Sequence, residues 1–180
     1  MMDKQRRQMK YDSFHRSANN TIAWMRTAEG LIATSMILRQ NRSRPEHIIE
    51  MGRNEVRNVD HLLWPELMLW GLSIEDLFKC LILKQGGRLV KDGKFVGRKN
   101  HDLGALAAEA HFALDDSQGS VIDTLSRAVK WAGRYPVAAE FSKSGGWVLW
   151  TIPVDDEVVD LIIAKLKREI GSLEPNSTSS

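Results

Sequence analysis

What this chain lacks excludes several classes at once. Cys80 is the single cysteine in 180 residues, so there is no intramolecular disulfide and no zinc site built on several thiolates. A reducing, cytoplasmic setting is the expectation. No run approaches the roughly 18 uninterrupted apolar residues of a membrane helix. The opening Met1-Met2-Asp3-Lys4-Gln5-Arg6-Arg7 leads into polar residues instead of an apolar signal core, so no membrane partner is expected. Charge of one sign is also scarce: the formal net charge is +2, too small to argue for nucleic acid by itself. There is no glycine-rich loop closing on Lys-Ser or Lys-Thr, no dinucleotide fingerprint and no nucleophile-elbow serine. The histidines at 15, 47, 61, 101 and 111 never fall at metal-binding helical spacing with carboxylates in support. Neither a metal nor a cofactor is expected.

What is present is an ordinary globular composition, 43% hydrophobic and 27% charged, in a length that suits one domain with a real core. A flexible basic arm is expected over 1–11, a single helical domain over 12–170 and a disordered tail over 171–180. From Asp12 to Gln40 the pattern is helical, with Trp24, Ala28, Leu31, Ser35 and Leu38 on one stripe. Asn41-Arg42-Ser43-Arg44-Pro45 breaks it, and a short amphipathic helix is expected between Glu46 and Asn58. A later helix runs from Ser120 to about Ala132. Gly145 to Pro153 is too rich in β-branched and aromatic residues for a helix, and a strand or a wedge carrying Trp147 and Trp150 is expected there. A last helix starts at Asp155 or Asp156 and presents Val158, Leu161, Ile162, Lys165 and Leu166. Nothing repeats at 20 to 50 residues.

The stretch that organises the rest is Gly71 to Lys84, apolar around most of its girth. At 100° per residue, Glu66, Ser73, Asp76, Cys80 and Lys84 share one narrow polar face, opposite Leu67, Trp70, Ile74, Leu77, Phe78 and Leu81. Glu75 and Lys79 belong to neither group. They lie among Met68, Leu72, Ile82 and Leu83, so a central position for this helix would cover the pair. Pro65 suits its first turn and Gly86-Gly87 its end. Beyond it, Asp92-Gly93 sits between two short arms in the manner of a hairpin turn, which predicts a hairpin or hairpin-like loop over 88–97. Arg88, Lys91, Lys94, Arg98 and Lys99 make this the strongest local basic patch and a candidate for an anionic partner. Asn100-His101-Asp102 opens the next helix.

Three pieces then stand out in order: Gly71-Leu72-Ser73-Ile74-Glu75-Asp76-Leu77-Phe78-Lys79, the His101-Asp102-Leu103 turn, and Arg134-Tyr135-Pro136 at a helix end. On these the chain resembles the HEPN family, the higher eukaryotes and prokaryotes nucleotide-binding domains, over roughly residues 12–140. The resemblance implies an all-α fold, a four- to five-helix up-and-down bundle, with Glu75, Lys79, His101, Asp102, Arg134 and Tyr135 lining a common region, and often a homodimer. Nucleolytic members of the family carry an arginine followed four to six residues later by a histidine near the end of the bundle. Here no histidine follows Arg134. The expected function is therefore a non-catalytic module binding a nucleotide, RNA or a protein partner. Two alternatives stand beside it: a metal-independent ribonuclease of toxin or defence type with His101 and Arg134 as catalytic candidates, and a self-associating scaffold using residues 147–152.

Overall fold

A computed structural model describes residues 2–42, 62–98, 101–132 and 154–173. Among these the architecture is an all-α bundle with one small hairpin. The first helix, α1, is Met2–Ala18, and the second, α2, is Thr21–Asn41. The pattern had suggested a single helix starting at Asp12. The chain instead begins its helix at Met2 and breaks it at Asn19-Asn20. Asparagine competes for backbone groups with its own side chain, and Asn20 does so here. The Asn20 carboxamide oxygen caps α2 by accepting from the backbone N–H groups of Ile22 and Ala23. Trp24 Nε1 donates to the Ala18 carbonyl at 2.8 Å, closing the end of α1.

The central helix, α3, is Leu63–Lys84. Pro65 sits in its first turn, where an N–H would have no intrahelical partner. From Ser73 to Leu83 every residue is buried, because α2, α6, α4 and the α5 region all pack against it. Gly71 permits the approach of α5 and its continuation. A Cβ there would stand 2.4 Å from Val129 Cγ2, closer than packed atoms tolerate, and 3.0 Å from the Leu125 carbonyl oxygen, a tight contact. The helix ends in a Schellman motif: Gly86 takes φ +89°, its N–H donates to Leu83, and the Gly87 N–H donates to Ile82.

Strands β1 (Val90–Lys91) and β2 (Lys94–Phe95) form the expected hairpin, with Val90 opposite Phe95 and Lys91 opposite Lys94. Asp92 and Gly93 both have positive φ, 49° and 72°, as the tight primed turn requires. Helix α4 is Leu103–Glu109, capped by Asp102. Helix α5 is Asp116–Arg127 and continues as a π-helical turn, Ala128–Ala132. It starts earlier than the apolar pattern suggested, because Asp115 and Gln118 form a reciprocal capping box in what reads as a polar break. Helix α6 is Asp156–Ser172, capped by Asp155. It buries Val159, Ile162, Ile163, Leu166 and Ile170, whereas Leu161 is 61% exposed, so the true inward stripe is rotated by about one residue from the expected one. The core is built on Trp70, Ile74, Leu77, Phe78 and Leu81 of α3, met by Leu103 and Leu106 of α4, Ile122 and Leu125 of α5, and Ile162 and Leu166 of α6. The helix expected over 46–58 and the Trp147-to-Ile152 segment lie outside the described residues. No helix among the described residues is long and apolar enough to cross a membrane.

Candidate functional site

The polar cluster starts from the two charges that fit neither face of α3. Glu75 is 3% and Lys79 7% exposed, and a charge buried that deeply needs partners. One helical turn separates them, and Lys79 Nζ donates to Glu75 Oε1 at 2.7 Å. The other oxygen, Oε2, is 2.8 Å from His101 Nδ1. A carboxylate only accepts, so Nδ1 carries the proton, and Nε2 makes no hydrogen bond among the described residues. The His101 side chain is 35% exposed, so the imidazole spans from the buried carboxylate to solvent.

Several backbone features hold His101 in place. Its φ is +53°, a left-handed conformation that a residue with a Cβ adopts at a cost of about 1–3 kcal/mol. Directly after it, Asp102 accepts from the Ala105 N–H at 3.0 Å, and the Leu103 N–H donates to Ser126 Oγ at 3.0 Å. The start of α4 is thus tied to α5, and the strained residue is fixed between that tie and Glu75. Asp102 also accepts from Lys130 Nζ at 3.4 Å. The Ala105 N–H chiefly, with Lys130 and Arg98 assisting, holds the Asp102 carboxyl below the usual range.

Two members of the cluster were not legible as such. Asp76, grouped by its helical angle with the polar face, has Oδ1 at 3.6 Å from Lys79 Nζ. Burial pushes its carboxyl up to about 6; the neighbouring Glu75 charge adds to that rise, and Lys79 opposes it. Trp24 of α2 lies with its ring centroid 4.5 Å from Lys79 Nζ, a cation–π contact made in a desolvated setting. The i,i+3 spacing of Asp76 and Lys79 was a usable signal for the first. No spacing rule links Trp24 to Lys79 across two helices.

The structure therefore brings Glu75, Lys79, His101 and Asp102 together. Arg134, Tyr135 and Lys99 lie outside the described residues. Arg88, Lys91, Lys94 and Arg98 are exposed on and beside the hairpin, and Arg98 pairs with Glu109 at 2.9 Å. Cys80 is buried, with Sγ 3.4 Å from the Thr21 carbonyl, and burial pushes its thiol up to about 11, which disfavours the thiolate at neutral pH.

A second charged network sits toward the other end of α3. Glu66, fully buried, accepts from Trp70 Nε1 at 3.1 Å and from Arg42 at 3.3 Å. Arg42 also pairs with Asp156. The Arg39 guanidinium lies 4.4 Å from the Trp70 ring centroid and reaches Asp160 at 2.9 Å. This network ties α2, α3 and α6 together, and burial raises the Glu66 carboxyl above its ordinary value.

Chemically, the His101 cluster can present one oriented imidazole edge to a ligand. Among its described neighbours Asp102 is held ionised, and Lys79 and Asp76 are buried. No group of three histidine, cysteine or carboxylate side chains gathers to hold a metal among the described residues. Compared with known proteins, the chain matches no family model, no curated protein and no solved structure.

Proposed function

We propose that this chain is a non-catalytic, HEPN-like helical module that binds a nucleotide, RNA or a protein partner through the exposed edge of the His101 cluster. The observation that supports this most directly is the full commitment of Glu75: one oxygen to Lys79, the other to His101. That arrangement positions an imidazole for hydrogen bonding to a ligand. Cleaving RNA without a metal needs one group to take the 2′-hydroxyl proton and another to protonate the departing oxygen. Among the described residues the cluster offers His101, and no histidine follows Arg134 in the sequence. As part of the same proposal, the module acts as a cytoplasmic homodimer.

The runner-up is a metal-independent ribonuclease using His101 with Arg134, and the carboxylate-oriented histidine is what favours it. One experiment separates the two. Purified protein is incubated with total RNA, and mononucleotide binding is followed by calorimetry, in wild type and His101→Ala. The module reading expects intact RNA and nucleotide binding that the substitution weakens. RNA cleavage that disappears in His101→Ala would overturn it.

A further inference from the structure

We infer that α1 and the hairpin together form a binding surface for single-stranded nucleic acid, separate from the His101 cluster and independent of the reading given for it. Two basic segments far apart in sequence are joined here. Asn19 accepts from the Leu89 and Val90 N–H groups at 2.9 and 3.1 Å and donates to the Val90 carbonyl at 3.1 Å. Its carboxamide thus pairs with the edge of β1 as another strand would. The Gly93 N–H donates to His15 Nε2 at 2.9 Å, and Tyr11 packs on Gly93. These contacts anchor the C-terminal half of α1 to the hairpin.

The charge of the molecule is concentrated on this assembly. Residues 1–16 and 88–98 hold nine lysines and arginines against Asp3, Asp12 and Asp92, six positive charges net before the pairing of Arg98 with Glu109, while the whole chain carries +2. The remainder is accordingly at −4. Within the patch, Lys91 stands directly opposite Lys94 across the two-stranded ladder, an arrangement that is unfavourable unless something negative neutralises it. Tyr11 and Phe14, 43% and 44% exposed, lie between Lys10 and Arg16 in sequence, and one side of the Tyr11 ring meets His15, centroids 4.5 Å apart. Aromatic faces beside cations fit bases and phosphates of an unpaired strand, the combination that binds such strands without reading their sequence.

A lipid surface fits less well. Among the described side chains of α1, Met9, Tyr11 and Phe14 are the large exposed apolar ones, and at 100° per residue Met9 and Tyr11 point to nearly opposite sides. An interfacial helix needs its apolar side chains on one face. Phosphate and stackable bases are common to RNA and DNA strands, so the source is left to the measurement.

The test is fluorescence anisotropy with labelled 20-nucleotide oligo(U) and oligo(dT), at 50 and 200 mM salt. With about four phosphates neutralised, affinity falls about 50-fold between the two salt conditions. In Lys91→Gln/Lys94→Gln, affinity at the lower salt drops about tenfold or more and the salt slope becomes shallower by about 1.4. That variant relieves a like-charge pair, so its melting temperature is expected to hold or rise, which keeps a binding loss from being mistaken for unfolding. Phe14→Ala costs about 5- to 150-fold if the ring stacks on a base. Preference for one oligonucleotide identifies the source. The inference is overturned by a double-lysine variant that binds within twofold of wild type at both salts. It is equally overturned if neither oligonucleotide binds while phosphatidylserine vesicles do. If His101→Ala alone abolished oligonucleotide binding while the double-lysine variant bound normally, this surface would be refuted and the His101 reading would stand.

Discussion

Replacing Asp76 with asparagine tests the electrostatics of the buried cluster directly. In the folded protein burial pushes the Asp76 carboxyl up to about 6 from its ordinary value of 3.8. The unfolded chain therefore releases its proton first as pH rises. Between those two values folding loses about 1.4 kcal/mol per pH unit, since the folded state must keep a proton that the unfolded state has given up. The contribution is fully present below pH 3.8 and is lost as pH climbs through 6. Integrated from pH 4.5 to 7.5, it amounts to about 2 kcal/mol. Asparagine is nearly isosteric and cannot titrate, so Asp76→Asn should gain about 2 kcal/mol on wild type over that range. Urea unfolding of both proteins, followed by circular dichroism at pH steps across the range, measures this. Taking the difference removes other titrating groups, including Asp102 and Asp115, whose carboxyls are shifted the opposite way. A difference that stays flat with pH, or moves in favour of wild type as pH rises, would refute the reasoning.

Two further substitutions probe how the site is carried. Gly71→Ala places a methyl 2.4 Å from Val129 Cγ2 and 3.0 Å from the Leu125 carbonyl, and overpacking of this kind costs about 1–3 kcal/mol. An unchanged urea midpoint would mean that α3 and the π-helical turn do not approach as closely as described. Asn19→Ala leaves the N–H groups of Leu89 and Val90, both buried, without their side-chain acceptor, at a cost of about 1–3 kcal/mol. Hydrogen exchange should speed up at those two amides while α3 stays protected. Asn19→Asp, which keeps the acceptor, should lose less, and equal losses in the two variants would count against the pairing.

Much of the bundle was legible because its signals are local. The apolar girth of residues 71–84 marked α3 as central, and its burial follows from that composition alone. Asp92-Gly93 specified the hairpin turn, and Asn100 or Asp102 and Asp155 or Asp156 marked two helix starts, which Asp102 and Asp155 cap. The break at Asn19-Asn20 was missed because the apolar stripe runs straight through it, and a stripe records which side is buried, not whether the axis is continuous. The start of α5 was missed for the opposite reason: its cap is polar and carries no periodicity. In α6 the stripe was displaced by about one residue, since a helix with apolar residues at 158, 159, 161, 162 and 163 has two plausible inward faces until its neighbour is known.

The site divides along the same line. Glu75 and Lys79 are one turn apart, so their pairing was written in the sequence, as was the likelihood of cover for both. That His101 reaches the second oxygen of Glu75 was not, because 26 residues separate them and the meeting depends on where α4 crosses α3. The same holds for Trp24 over Lys79, for the Arg39 and Arg42 network with Asp156 and Asp160, and for Asn19 against the hairpin. Spacing along one helix fixes an angle about one axis. Contacts between elements depend on how two axes cross, and that is settled by the packing of whole faces, which only the tertiary structure decides.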